Sequence, residues 1–294
     1  MHGWRRWFVL AIVLGALAAL LAGATFPQAQ FLPLQLQLAQ WFGEGRRSPA
    51  VGDSGRRWAQ YEGEMQNPLD DPPDAFEETE FAFARLRFPS QRGRGWYLPW
   101  GIDANQADRL FAKVLRRLTR IHVRSVEHVV DVDSDEMFAW PFLYAVSVAD
   151  FDITDDQAAR LRDYLNRGGF LMVDDFHGDS EWEEFSRVLA RILPDAEVVE
   201  LPDDHPIFHT VFDLKQRVQI PGLNVVRGRG YERGGVTPHW RAAVDSKGRV
   251  LVAMCFNMDV GDAWEWADSP EYPEAYATMA YKLGINYVVY AMTH

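Results

Sequence analysis

The stretch Gly168-Gly-Phe-Leu-Met-Val-Asp-Asp-Phe-His-Gly178 decides the fold. Gly168 and Gly169 read as the end of a helix, because glycine accepts the left-handed conformation that closes a helical ladder. Phe170-Leu-Met-Val173 is then a continuous apolar run, as expected of a strand buried on both faces in a parallel sheet. Polarity arrives at once after it: two carboxylates, an imidazole and a glycine. In open α/β sheets the carboxyl ends of the strands are where ligands sit.

Working outward, the same alternation continues in both directions. Upstream, Thr154 is predicted to cap a helix over Asp155–Arg167, and Pro141–Val148 is a second buried strand. Farther upstream, Phe81–Phe88 alternates with period two and Val123–Val130 is strand-like. Between them Ala104–Leu118 carries Leu110, Phe111, Val114, Leu115 and Leu118 at helical spacing. Downstream, Glu181–Leu193 is a helix ended before Pro194, and Glu197–Leu201 is a short strand. Further strands are predicted near Val218–Ile220, Arg241–Val244 and Val250–Phe256. A final helix, about Glu274–Leu283, leads into Ile285–Ala291. Helix-separated strands joined by short turns predict an α/β fold, a mainly parallel sheet with helices on both faces.

The chain has 294 residues and a net charge of -12, with 42 Asp+Glu against 30 Lys+Arg. This balance argues against a nucleic-acid partner, which needs clustered cations on phosphate. The single cysteine, Cys255, rules out an intramolecular disulfide and a cysteine-rich zinc site. It falls inside a strand without flanking glycines and reads as core.

Trp7–Phe26 contains no charged residue and follows Arg5 and Arg6. As a helix it would cover about 30 Å, the thickness of a bilayer core. Residues 1–26 are therefore expected to be a signal peptide or a membrane anchor, with Ala22-Gly-Ala24 as a small-x-small cleavage site. The expected location is the periplasm, or the inner membrane with the domain facing the periplasm; export without disulfides fits that compartment. Residues 27–79, rich in Gln, Gly, Arg, Ser, Asp and Pro, read as a mostly irregular linker, with Leu32–Phe42 as a short amphipathic helix. The α/β domain is expected over 80–294.

Three polar segments follow predicted strands. In the first, Asp174, Asp175 and His177 offer groups for a divalent cation or for acid–base work. Neighbouring strand residues point to opposite faces, so one of the two carboxylates is expected to be a ligand or base while the other caps the next helix. The second is Leu201–Phe208, where His205 is held extended by Pro206 and either points to the strand ends or caps a turn. The third is Cys255–Trp266, where Asn257, Asp259 and Asp262 suit an oxygen-rich cation loop, and Trp264 is either a stacking lid or core. Asp175, His177, His205 and Asp259 are the metal candidates, and a divalent cation is the candidate cofactor. Arg92–Trp96 and Arg227–Arg233 are glycine-containing basic loops, each read as a phosphate site or plain surface. A nucleophile elbow, a P-loop, H-E-x-x-H and a dinucleotide fingerprint are all missing.

These segments together resemble the bacterial family known as domain of unknown function 4159. The resemblance rests on Glu80–Phe88, Pro141–Tyr144, Gly168–Gly178, Leu201–Phe208, Gln219–Pro221, Asn257–Glu265 and Gly284–Tyr290, covering about residues 80–294. It implies a flavodoxin-like sheet of the class I glutamine amidotransferase-like kind, close to trehalose-utilisation-type domains, and a cell-envelope setting. Amidotransferases use a cysteine at a strand-to-helix elbow. Here Tyr144–Asp150 occupies the comparable strand end without a cysteine, and Ser147 lacks an elbow, so glutaminase activity is not implied. The sequence thus points to an exported or membrane-anchored module that binds a ligand or an envelope protein. The alternatives are a hydrolase, metal-dependent or not, acting on a glycan or other envelope substrate, and a purely structural subunit.

Overall fold

The computed structural model describes residues 74–75, 77–90 and 98–294. The signal peptide or anchor of 1–26, nearly all of the 27–79 linker and the Arg92–Trp96 loop lie outside the described residues. None of the described helices is long and apolar enough to cross a membrane.

Among the described residues seven strands form one sheet: β1 (Ala84–Arg87), β2 (His128–Asp131), β3 (Phe142–Val146), β4 (Phe170–Phe176), β5 (Glu197–Glu200), β6 (His239–Val244) and β7 (Val250–Phe256). Their order is β2-β1-β3-β4-β7-β6-β5. The first five strands in that order pair in parallel, and β6 runs antiparallel to both β7 and β5. Strands β3 and β7 are buried along their whole length, as their unbroken apolar runs require.

The helices are α1 (Gln106–Leu118), α2 (Asp155–Asn166), α3 (Gly178–Ile192), the short α4 (Leu223–Val226) and α5 (Val260–Glu265), and α6 (Glu274–Thr293). On one face of the sheet, Phe83, Phe142, Tyr144 and Phe170 pack with Phe111 of α1, Trp264 of α5 and Tyr287 of α6. On the other, Leu143, Ala145, Leu171 and Val173 pack with Leu161 and Leu165 of α2 and Phe185 and Leu189 of α3. The architecture is therefore mixed α/β, with a mostly parallel sheet and helices on both faces. Thr154 caps α2 as expected: its side chain accepts from the Gln157 amide at 3.2 Å while Gln157 accepts from the Thr154 amide at 2.9 Å.

Two expected elements differ. Val218–Ile220 forms no strand: Gln219 donates instead to the carbonyls of Gly235 and Asn257, and the Ile220 carbonyl takes the Asp259 amide. The last helix runs on through Ile285–Ala291 to Thr293. Gly284 sits inside it because a Cβ there would stand 2.5 Å from the Phe111 ring and 2.7 Å from Trp264.

One irregularity positions the site. Val173 pairs with Met254 and Phe176 with Phe256, so β4 carries one more residue than β7 over this step. The extra residue is a bulge at Asp174-Asp175, and Asp175 has φ +49°. Bulges re-aim side chains, and this one acts on the two carboxylates that end the strand.

Candidate functional site

The site lies at the carboxyl ends of β3, β4 and β7. Ser147 follows β3 with φ +51°, Asp175 is the next-to-last residue of β4, Asn257 follows β7 with φ +61°, and Asp103 precedes α1 with φ +60°. Arg233, with φ +45°, faces them from the loop before β6. Among the described residues these are the non-glycine positions with positive φ, and all of them border one acidic cluster. Each such conformation costs about 1–3 kcal/mol and persists where its surroundings over-determine it.

Asp174 is fully buried and acts as an anchor. Its Oδ2 accepts from the amides of Val260 and Gly261, both at 2.8 Å, and from the Tyr144 hydroxyl at 3.0 Å. It therefore caps a helix, as expected of one of the two aspartates. The helix is α5, which follows β7, rather than α3, the next in sequence. Burial pushes its pKa up to about 7, with the Gly261 amide acting in the opposite direction.

Asp175 faces the open side. Its Oδ2 accepts from Ser147 Oγ at 2.9 Å, and its Oδ1 lies 3.1 Å from His177 Nε2. Glu232 Oε2 lies 3.9 Å from the same imidazole nitrogen. Burial raises Asp175, yet the His177 hydrogen bond and charge and the Ser147 hydroxyl outweigh it and hold the carboxylate below its ordinary range. His177 is shifted upward: burial opposes its charge, and the hydrogen bond and charge of Asp175 prevail. The backbone here is fastened from both sides. The His177 amide donates to Glu181 at 2.7 Å, and the Gly178 amide donates to Asn257 Oδ1 at 2.8 Å. Gly178, with φ +67°, has no room for a side chain, since a Cβ would meet the Arg233 carbonyl oxygen at 2.2 Å.

Asp259 caps α5 by accepting the Asp262 amide at 2.9 Å, and Asp262 Oδ2 accepts the Leu223 amide at 2.6 Å. Around Gly222 these groups converge with Glu232. A Cβ there would stand 2.6 Å from Asp259 Oδ2 and 3.1 Å from both Asp262 Oδ2 and Glu232 Oε1. Burial, followed by the charges of Asp262 and Asp175, holds Asp259 well above the ordinary carboxylate range. Burial also raises Asp262 and Glu232. Asp103 is raised in the same way, by burial first and then by Asp262, Glu265 and Asp175.

The cationic groups acting on these carboxylates include His177 and Arg233, with Arg85 acting on Asp103. Arg233 Nε is engaged by Glu181 at 2.8 Å. Two sets of three ligand atoms lie within 4.8 Å of one another: Asp175, His177 and Glu232, and Asp103, Asp262 and Glu265. Either set has the geometry to take a divalent cation.

Of the residues singled out in the sequence, Asp174, Asp175, His177, Asn257, Asp259 and Asp262 come together here. His205 does not. It caps the turn Pro206–Phe208, its Nδ1 accepting the Ile207 amide, and the charged groups acting on it are Asp204 and His294. Trp264 is no lid: it is fully buried among Phe83, Phe111 and Tyr144, with the Phe111 ring centroid at 4.6 Å. Asn257 is a brace, donating to the Thr237 carbonyl and accepting from Gly178. Cys255 is buried in β7, and burial pushes its thiol upward. Ser147, read as lacking an elbow, stands at a left-handed bend without any glycine. Its amide is held by the Asp174 carbonyl at 3.0 Å and its hydroxyl by Asp175.

Asp103, Tyr144, Glu181, Glu232, Arg233 and Glu265 were not foreseen as site residues. The sequence signals near them were the Arg227–Arg233 loop, which carries Glu232 and Arg233 into the cluster, the Cys255–Trp266 segment, which holds Glu265, and the Pro141–Tyr144 segment, which ends at Tyr144.

No curated protein matches the chain. The family model described as a domain of unknown function (DUF4159) matches residues 82–292, a span that holds every strand of the sheet and the whole acidic cluster. The chain belongs to the DUF4159 family.

Proposed function

We propose that this domain is an exported cell-envelope module that binds its ligand through a divalent cation held by Asp175, His177 and Glu232. The observation that carries this reading is the convergence of an imidazole nitrogen and two carboxylate oxygens within 4.8 Å at the sheet's carboxyl edge. One nitrogen and two oxygen donors suit Zn2+ or Mn2+. The site's charge supports the reading, because its carboxylates outnumber the cations that face them, and a metal would supply the missing positive charge. The mainly parallel sheet, with its ligand groups past the strand ends, supports the flavodoxin-like, glutamine amidotransferase-like grouping. The envelope setting rests on Arg5-Arg6 and the uncharged run Trp7–Phe26.

Calorimetric titration of the full chain, purified in mild detergent and stripped with EDTA, tests the cation. Saturable Zn2+ or Mn2+ binding is expected, weakened about 10-fold or more in His177→Ala and Glu232→Gln. Equal binding by wild type and both variants would reject the reading. A reporter active only in the cytoplasm, fused after His294, should stay silent.

A hydrolase is the second reading, and Ser147 favours it. A hydroxyl at a left-handed strand-end bend, hydrogen-bonded to a carboxylate that also meets an imidazole, resembles the start of a nucleophile relay. Turnover of nitrophenyl esters or glycosides that disappears in Ser147→Ala would support this reading over simple binding.

A further inference from the structure

Among the described residues, no donor meets one oxygen of the Asp103 carboxylate. The residue is 5 % exposed, and its Oδ2 has no hydrogen-bond partner among the described residues. Leaving a buried polar group unsatisfied is costly, and more so when it is charged. The chain nevertheless presents this group firmly. Arg85, itself fully buried, donates to the carbonyls of Trp100 at 3.1 Å and Ile102 at 2.8 Å, fixing the turn that ends at Asp103. The charge of Arg85 is taken up by Asp108, with Nε to Oδ2 at 2.9 Å.

Arg85 is the cation that acts on Asp103, and the other charged groups acting on it, Asp262, Glu265 and Asp175, are acidic. One ligand atom from each of Asp103, Asp262 and Glu265 lies within 4.8 Å of the other two. Gly261 leaves room for this carboxylate, because a Cβ there would stand 2.3 Å from Asp103 Oδ2 and 2.7 Å from the Tyr144 hydroxyl. Like charges gathered in a buried place repel unless a proton or a cation stands between them.

We infer that Asp103, Asp262 and Glu265 hold a second divalent cation, a hard one such as Mg2+ or Ca2+. A donor set of oxygens alone selects hard cations, in contrast to the imidazole-containing set at Asp175, His177 and Glu232. The two sites share no residue, so the second does not depend on the first. They are neighbours across Gly222, where Asp262 Oδ2 and Glu232 Oε1 both lie 3.1 Å from the position of a Cβ.

The test is a Ca2+ titration of the metal-stripped full chain by calorimetry, with Mg2+ as competitor. Wild type should bind Ca2+ saturably. Asp103→Asn and Glu265→Gln should each weaken it about 10-fold or more, while His177→Ala leaves it unchanged. Asparagine tolerates the left-handed backbone at residue 103, and removing a repelled charge should leave the cation-free melting temperature equal or higher, which checks folding. Absence of Ca2+ binding by wild type overturns the inference, as does wild-type affinity in both variants. Zn2+ binding that depends on His177 beside absent Ca2+ binding would leave the first site standing alone. Ca2+ binding that depends on Asp103 beside absent Zn2+ binding would leave only the second.

Discussion

The Asp174 carboxylate and the Gly261 amide meet at 2.8 Å, joining the end of β4 to the first turn of α5. The same oxygen takes the Val260 amide and the Tyr144 hydroxyl, so one buried atom ties β3, β4 and α5 together. It thereby sets where Asp259 and Asp262, which flank that turn, stand relative to Asp175.

Asp174→Ala should therefore be severely destabilising. It leaves three buried donors without an acceptor, for a loss of about 3 kcal/mol or more. Asp174→Asn keeps one acceptor oxygen and should cost less. Urea unfolding of the two variants measures the difference; an alanine variant as stable as wild type would remove Asp174 from its role as anchor.

Stability without cations should fall as pH rises from about 5 to about 8. Burial lifts Asp174 to about 7 and holds Asp103 and Asp259 above the ordinary carboxylate range. Between the unfolded value near 4 and those raised values, the folded chain binds more protons than the unfolded one, so added base favours unfolding. His177 acts in the same direction, since its folded value is also raised and its contribution is lost as pH climbs through it. Asp175 is held low and contributes in the opposite sense, but its contribution is lost only as pH falls below about 4, outside this window. Saturating Zn2+ or Ca2+ should flatten the slope, because a bound cation replaces the protons. A melting temperature that is constant over this range in EDTA would show that the cluster does not hold protons on folding.

Gly222→Ala should damage both cation sites while sparing the fold. Residue 222 has φ -65°, so alanine fits its backbone without strain. Its methyl group would enter the space bounded by Asp259, Asp262 and Glu232, at 2.6 to 3.1 Å from their oxygens. Relief of that overlap should cost about 1–3 kcal/mol and displace one ligand of each set. Calorimetry with Zn2+ and with Ca2+ should show both affinities reduced. Unchanged affinity for both would mean that the convergence over Gly222 has no part in cation binding.

The sheet was legible because its decisive strands, Phe142–Val146, Phe170–Val173 and Val250–Phe256, are buried on both faces, which requires unbroken apolar runs. The acidic ends of β4 and β7 were legible because polarity begins where each run stops. Side-chain direction was less so. The rule that neighbouring strand residues face opposite ways gave separate roles to Asp174 and Asp175, but the bulge that re-aims them depends on pairing with β7. His205 shows the same limit, since the restraint from Pro206 fixes its backbone and leaves the direction of the ring open. Asp103 was hidden for a different reason. Its importance comes from a left-handed turn held by Arg85, contacts made across the fold. Ser147 reaches a similar conformation without a glycine because Asp174 and Asp175 hold it there.

Trp264 supplies the sharpest contrast between a residue that serves the site and one that serves the core. As a stacking lid its ring would be exposed, and its removal would cost binding rather than stability. The ring is instead fully buried, packed on Phe111 and bordered by Phe83 and Tyr144, with Gly284 of α6 directly against its edge. Trp264→Ala should therefore cost about 3–5 kcal/mol, the range for emptying a large aromatic site. Trp264→Phe should lose less than the change in volume suggests, because the indole Nε1 has no hydrogen-bond partner among the described residues and phenylalanine removes that unsatisfied donor. Since α5 also carries Asp262 and Glu265, only a variant that keeps the helix seated isolates the role of the ring. Trp264→Phe is that variant: its urea midpoint should drop while its Zn2+ and Ca2+ affinities stay at wild-type values. A Trp264→Phe protein that unfolds like wild type but loses ligand or cation binding would return the ring to the binding surface and overturn its assignment to the core.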